Sequence, residues 1–133
     1  MRKERKMKSY EIAKAHFDKL GSATEGQKEL NRFDQIIEFD LKDDEAFYIK
    51  VESGKVSIIK GKAPEDYRNV IMLLTDRATV REIFYKGQLY PGLADFMFEG
   101  KVYMRGSKSG DIMVGEKGKP RMAWAAKLLR MHV

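Results

Sequence analysis

The chain contains no cysteine, so a disulfide, thiol chemistry and a thiolate metal site are all excluded. That absence suits a reducing compartment. Histidine is nearly as scarce. His16 and His132 are its two copies, and without a His-x-x-x-His pair a zinc site has no support. His16 shares a helical stretch with core-facing residues and His132 stands next to the last residue. Both therefore read as structural or surface side chains. Long apolar runs are missing as well, and none approaches the roughly 18 residues of a membrane span. The first residues are basic, but they precede no apolar core or small-residue cleavage site and do not read as a secretory signal. Met131-His132-Val133 is not a peroxisomal address. A cytoplasmic protein is the expectation.

Catalytic signatures are equally sparse. No Gly-x-x-x-x-Gly-Lys-Ser/Thr loop is present, and no serine sits in a Gly-x-Ser-x-Gly elbow. Gly115-Glu116-Lys117-Gly118-Lys119 is rich in glycine and lysine but lacks phosphate-loop spacing and reads as a flexible turn. Asp43-Asp44-Glu45 lacks the alternating acids and glycine of a calcium loop and reads as a solvated hairpin tip. With no convergent acid, base or nucleophile, neither an enzyme nor a bound cofactor or metal is expected.

What is present fits one domain of 133 residues, long enough to bury a core without covalent staples. The formal charge is +6. Arg2, Lys3, Arg5, Lys6 and Lys8 against Glu4 place most of it in residues 1–8, a basic tail. Such a tail can favour transient contact with anionic surfaces such as a membrane or nucleic acid; a solvated, frayed helix start is the preferred account. Elsewhere basic residues alternate with acids, as on an ordinary solvated face. No helix-turn-helix or stacking-sheet signature stands out, so nucleic acid is not the expected partner.

The apolar periodicity organises the rest. Tyr10, Ala13, Phe17 and Leu20 mark one face of a helix over residues 5–20, ended by Gly21. Thr24 and Gln27 have capping-box spacing and open a short helix with Leu30 and Phe33 inward. Strands are expected over 36–41, with Ile37, Phe39 and Leu41 opposite Glu38 and Asp40, and over 46–52, with Phe47, Ile49 and Val51 inward. A tight turn at Ser53-Gly54-Lys55 leads into a third strand over 55–61. After a turn or helical hook at residues 63–66, a fourth strand over 69–75 is apolar on both faces and should be covered on both. A helix over 78–86 points Val80, Ile83 and Phe84 inward, with Thr79 and Glu82 as its capping box or Thr75 as an earlier start. A short helix over 92–98, a fifth strand over 101–105 and a last helix from Pro120 complete the chain. In that last helix Trp124, Leu128 and Met131 form the apolar stripe. Residues 107–119 form either a mobile loop or an added hairpin. The order predicts an α+β fold: a four-strand meander with a fifth strand added later, giving a five-stranded, mostly antiparallel sheet covered by helices.

The later half of the chain is unusually rich in methionine and aromatic residues, and methionine suits surfaces that accept variable apolar shapes. A plain packed core accounts for the same composition. One ordered set of motifs adds a direction. Leu74-Thr75-Asp76 leads into the helix that ends at Gly87-Gln88-Leu89-Tyr90-Pro91. Ala94-Asp95-Phe96-Met97-Phe98-Glu99-Gly100-Lys101 follows, then Val102-Tyr103-Met104-Arg105-Gly106. Over residues 24–106, and more loosely in the last helix, this order resembles the sterol carrier protein type 2 family. In that family small lipid-binding domains hold an apolar tunnel between a sheet and its helices.

The resemblance implies a non-enzymatic binder or carrier of fatty acyl, acyl-CoA, phospholipid or isoprenoid and sterol-like lipid, monomeric or homodimeric. Its tunnel would be lined by Phe39 of the sheet and by Ile83, Phe84, Leu89 and Leu93 around the proline turn. Phe96, Met97, Phe98, Val102 and Met104 would follow, with Met122, Trp124 and Leu128 of the last helix. The chain departs from the pattern in two places. The stretch between Pro91 and Gly100 is about two residues longer than is usual in the family, and residues 107–119 read as an insertion. The family also contains accessory and dimerisation modules, so a partner-binding module is the alternative implied by the same resemblance, with an accessory role in quinone-lipid synthesis between the two.

Overall fold

A computed structural model describes residues 7–64, 70–86, 103–106 and 118–132. Its elements are helices α1 (Ser9–Ser22) and α2 (Thr24–Leu30), strands β1 (Gln35–Leu41), β2 (Phe47–Glu52), β3 (Lys55–Lys60) and β4 (Val70–Thr75), helix α3 (Arg77–Lys86), strand β5 (Tyr103–Gly106) and helix α4 (Gly118–Arg130). The result is a mixed α+β fold in which one sheet carries the helices.

The sheet order is β3-β2-β1-β4-β5, four strands of six or seven residues with the four-residue β5 at one edge. β1–β2, β2–β3 and β4–β5 pair antiparallel, whereas β1 and β4 pair parallel. The expected four-strand meander is therefore a three-strand meander followed by a crossover. Composition explains the difference. β3 has Lys55 and Lys60 at its ends and belongs at an edge. β4 (Val70-Ile71-Met72-Leu73-Leu74) is apolar throughout and is seated between β1 and β5. The β2–β3 turn is a two-residue hairpin with positive φ at both Ser53 (52°) and Gly54 (78°), the twist-compatible form.

Ile37, Phe39, Phe47, Ile49, Val51, Ile71 and Leu73 point to one face and form the main core with Ile12, Phe17 and Leu20 of α1, Leu30 of α2, Val80, Ile83 and Phe84 of α3, and Trp124, Leu128 and Leu129 of α4. The opposite sheet face is not simply solvated. Tyr48, Ala63 and Val70 form a second buried cluster with Ile36 and Met72 packed on it. Glu38, expected on a polar face, is 4% exposed, and its Oε1 accepts the Ala63 N–H at 2.7 Å. The double cover expected for β4 is uneven: Val70 is buried on the outer face, and Leu74 is 36% exposed.

Helix ends also differ from the expectation. α1 runs from Ser9 through Gly21 to Ser22. No capping box forms at α2: Ala23 occupies the cap, and the Gln27 amide instead donates to the Gly54 carbonyl at 2.7 Å, tying α2 to the β2–β3 turn. α3 is capped by Asp76, whose Oδ1 accepts the Thr79 N–H at 2.8 Å, rather than by a Thr79–Glu82 box. α4 starts at Gly118, two residues before Pro120. The expected helix over 92–98 and most of the 107–119 segment and basic tail lie outside the described residues, as do residues 65 and 66 of the expected hook. No helix among the described residues is long and apolar enough to cross a membrane.

Candidate functional site

The fold brings the two histidines together. α1 carries His16 on the turn between Ile12 and Leu20, and its Nε2–H donates to the Leu128 carbonyl near the end of α4 at 2.8 Å. His132 lies just past α4, and its Nε2–H donates to the Phe84 carbonyl in the last turn of α3 at 2.8 Å. Each imidazole thus satisfies a carbonyl left open at a helix C-terminus. The ring centroids of His16 and His132 are 6.1 Å apart, and His16 also lies 4.8 Å from the ring of Phe84. Burial holds the His16 imidazole below its ordinary pKa, against the raising effect of the Leu128 carbonyl. The nearby His132 and Lys19 lower it further.

These residues border a cleft of about 230 Å³ between α1, α3 and the segment beyond α4. Ile12, Leu20, Phe84 and Met131 give it apolar walls; His16, Lys19, Tyr85 and His132 are its polar lining residues. From this cleft a file of rings continues into the core. Phe84 lies 5.9 Å from Phe39, which stacks on Phe47 at 4.8 Å with an interplanar angle of 11°. A second, more open cleft of about 660 Å³ lies between α1, α2 and β3, with Phe17, Leu30, Val56 and Ile58 among its walls and Lys14, Asp18 and Lys55 among its polar residues.

The residues expected to line a tunnel are distributed as follows. Phe39, Ile83, Trp124 and Leu128 are buried in the main core, and Phe84 joins that core to the smaller cleft. Trp124 is fixed by its Nε1–H, which donates to the Glu29 carbonyl at 2.8 Å. Met104 is described through its backbone, where it pairs with Leu73 of β4. Met122 lies within α4. Leu89, Leu93, Phe96, Met97, Phe98 and Val102 lie outside the described residues. The histidine pair escaped the sequence reading because its members are 116 positions apart and no local pattern links them. Among the described residues, no group of three His, Cys, Asp or Glu side chains is placed to hold a metal ion.

Helices gathered on one face of a sheet in which a meander is followed by a parallel crossover form a comparable architecture. A crystal structure of sterol carrier protein 2 superposes with a TM-score of 0.51 at 16% identity, over 87% of this chain and 93% of that one. The chain has the sterol carrier protein 2 fold. A UbiJ-SCP2 ubiquinone synthesis protein shares that fold over 83% of both chains, with a TM-score of 0.50 at 11% identity. The stereoselective inverting sec-alkylsulfatase Pisa1 from Pseudomonas sp. overlaps 63% of this chain with a TM-score of 0.49 at 12% identity. The chain spans 13% of that enzyme's length. No family model and no curated protein matches the sequence. The sterol carrier protein 2 likeness is thus one of backbone, at sequence identities too low to transfer site residues.

Proposed function

We propose that this chain is a non-enzymatic binding or transfer protein for an apolar small molecule of the lipid class: a fatty acyl chain, acyl-CoA, phospholipid or isoprenoid and sterol-like lipid. The observation that carries the reading is the likeness to sterol carrier protein 2 over 87% of this chain and 93% of that one. The His16–Phe84–His132 cleft supports it, because apolar walls beside a few polar groups are the usual make-up of a small-molecule site. The driving force would be burial, about 0.8 kcal/mol per methylene before ordering costs are subtracted. The aromatic and methionine residues of 89–104 would complete the lining, and the basic residues of 1–8 would favour brief contact with an anionic membrane surface.

Native mass spectrometry of the gently purified chain, followed by solvent extraction, tests the reading. A stoichiometric lipid adduct is expected. A bare mass that also ignores added fatty acid and acyl-CoA would overturn it. The reading to adopt then is an accessory or dimerisation module that docks a protein through apolar surface.

A further inference from the structure

We propose that the cleft between α1, α3 and the end of α4 seats the anionic head of a small amphiphile, a carboxylate on an apolar body of about six to eight carbons. The proposal rests on the reading above and narrows it to a head group and a length.

Four observations converge on it. The polar residues facing the cleft are His16 and Lys19 from α1, Tyr85 from α3 and His132 from beyond α4. Among the described residues, no aspartate or glutamate lines it. Among those residues an anion placed there meets a cation and two imidazole rings. Second, both imidazoles are oriented in advance. Each spends its Nε2–H on a helix carbonyl at 2.8 Å, so the nitrogen left to each ring is Nδ1. Third, the rings are 6.1 Å apart, close enough for one head group to feel both. Burial, His132 and Lys19 favour the neutral His16 ring. A carboxylate supplies the opposite charge, so a proton is taken up at Nδ1 as the head group arrives and becomes a charge-assisted donor to it. Fourth, the volume of about 230 Å³ exceeds the ~150 Å³ apolar cavity that admits benzene and falls below the roughly 300 Å³ at which drug-sized sites begin.

The full chain can be titrated by proton NMR with octanoate, octanol and acetate, following the ring C2–H signals of its two histidines. Octanoate is expected to move both signals saturably and to bind at least about tenfold more tightly than octanol or acetate. Its affinity should rise as pH falls from about 8 to 6, because binding takes up a proton. Lys19→Gln, on the exposed side of α1, should weaken octanoate several-fold and leave octanol unchanged. His132→Gln provides a second variant that should do the same. Unmoved histidine signals overturn the proposal. So does equal binding of octanol, which would mark a purely apolar site, or of acetate, which would mark a free-anion site. Lipid uptake by mass spectrometry separates the two readings. Uptake with unmoved histidine signals overturns the head-group seat and leaves the carrier reading standing. An octanoate response without lipid uptake upholds the seat and counts against the carrier.

Discussion

Asp44 stands in what the sequence presents as a solvated acidic turn, yet its side chain is 1% exposed. Lys8 at the start of α1 supplies no side-chain cap. Asp44 performs that role across space, its Oδ2 accepting the Ser9 N–H at 2.9 Å and lying 3.5 Å from Arg77 Nε. The neighbouring Asp43 accepts the Arg77 N–H at 2.9 Å, so one turn holds the starts of both α1 and α3. Burial opposes the Asp44 charge, but the Ser9 and Glu45 N–H groups and the Arg77 guanidinium outweigh it and hold the carboxyl below its ordinary pKa. Asp44→Ala is expected to cost about 1–3 kcal/mol in urea unfolding at neutral pH. With the folded pKa below the unfolded value of about 3.9, the contribution is complete above that value and is lost as pH falls through the folded one. Stability of Asp44→Asn should therefore fall less steeply below about pH 4. An equal slope in both proteins would remove Asp44 from the account. The sequence could not reveal this role, because Ser9 lies 35 positions away and a local pattern cannot show a tertiary cap.

Among the elements, glycine placement shows most clearly what the sequence did and did not disclose. Gly21 looked like the end of the first helix, but it lies inside α1, and a Cβ built there would meet nothing within 4 Å. Gly26, between the Thr24 and Gln27 expected to open the second helix, is buried within α2. A Cβ there would collide with the backbone carbonyl of Leu20, so Gly26 is what allows α2 to fold tightly back on α1. Gly21→Ala should thus stabilise by about 0.5–1 kcal/mol through helix propensity. Gly26→Ala should destabilise by more than about 2 kcal/mol, because backbone must move to accommodate it. Thermal unfolding of the two variants checks both signs; a neutral Gly26→Ala would mean that the α1–α2 corner has room to open. Strand identity was legible throughout β1–β3, and the core-facing residues of β1 and β2 followed from period-two alternation, but the burial of Glu38 and Tyr48 on the opposite face did not. The parallel placement of β4 was not, because apolar residues on both faces announce a central strand without naming its neighbours.

Across the whole molecule, α4 is joined to the rest of the helical layer by contacts that are distant in sequence. Trp124 and Lys127 both reach Glu29 of α2, at 2.8 and 3.0 Å. His16 reaches Leu128 across 112 positions, and His132 reaches Phe84 across 48. The apolar stripe of α4 was readable from spacing, but the ring of polar ties around it was not, because each tie pairs residues from different elements. His16 gives this closure a dependence on pH. Its imidazole is held below the ordinary value, first by burial and then by His132 and Lys19. Folding therefore favours the neutral ring. The associated stability is complete above the unfolded pKa of about 6.5 and is lost as pH falls through the lower folded value. One proton limits the slope to about 1.4 kcal/mol per pH unit. Urea unfolding from about pH 7.5 down to 5 should show this loss. His16→Gln retains an amide donor for the Leu128 carbonyl but cannot titrate, and should flatten the profile while the Asp44 contribution at lower pH persists. An unflattened profile in that variant would place the acid sensitivity elsewhere. A saturating carboxylate amphiphile should also flatten the wild-type profile, because it favours on the folded side the same proton that burial, His132 and Lys19 disfavour.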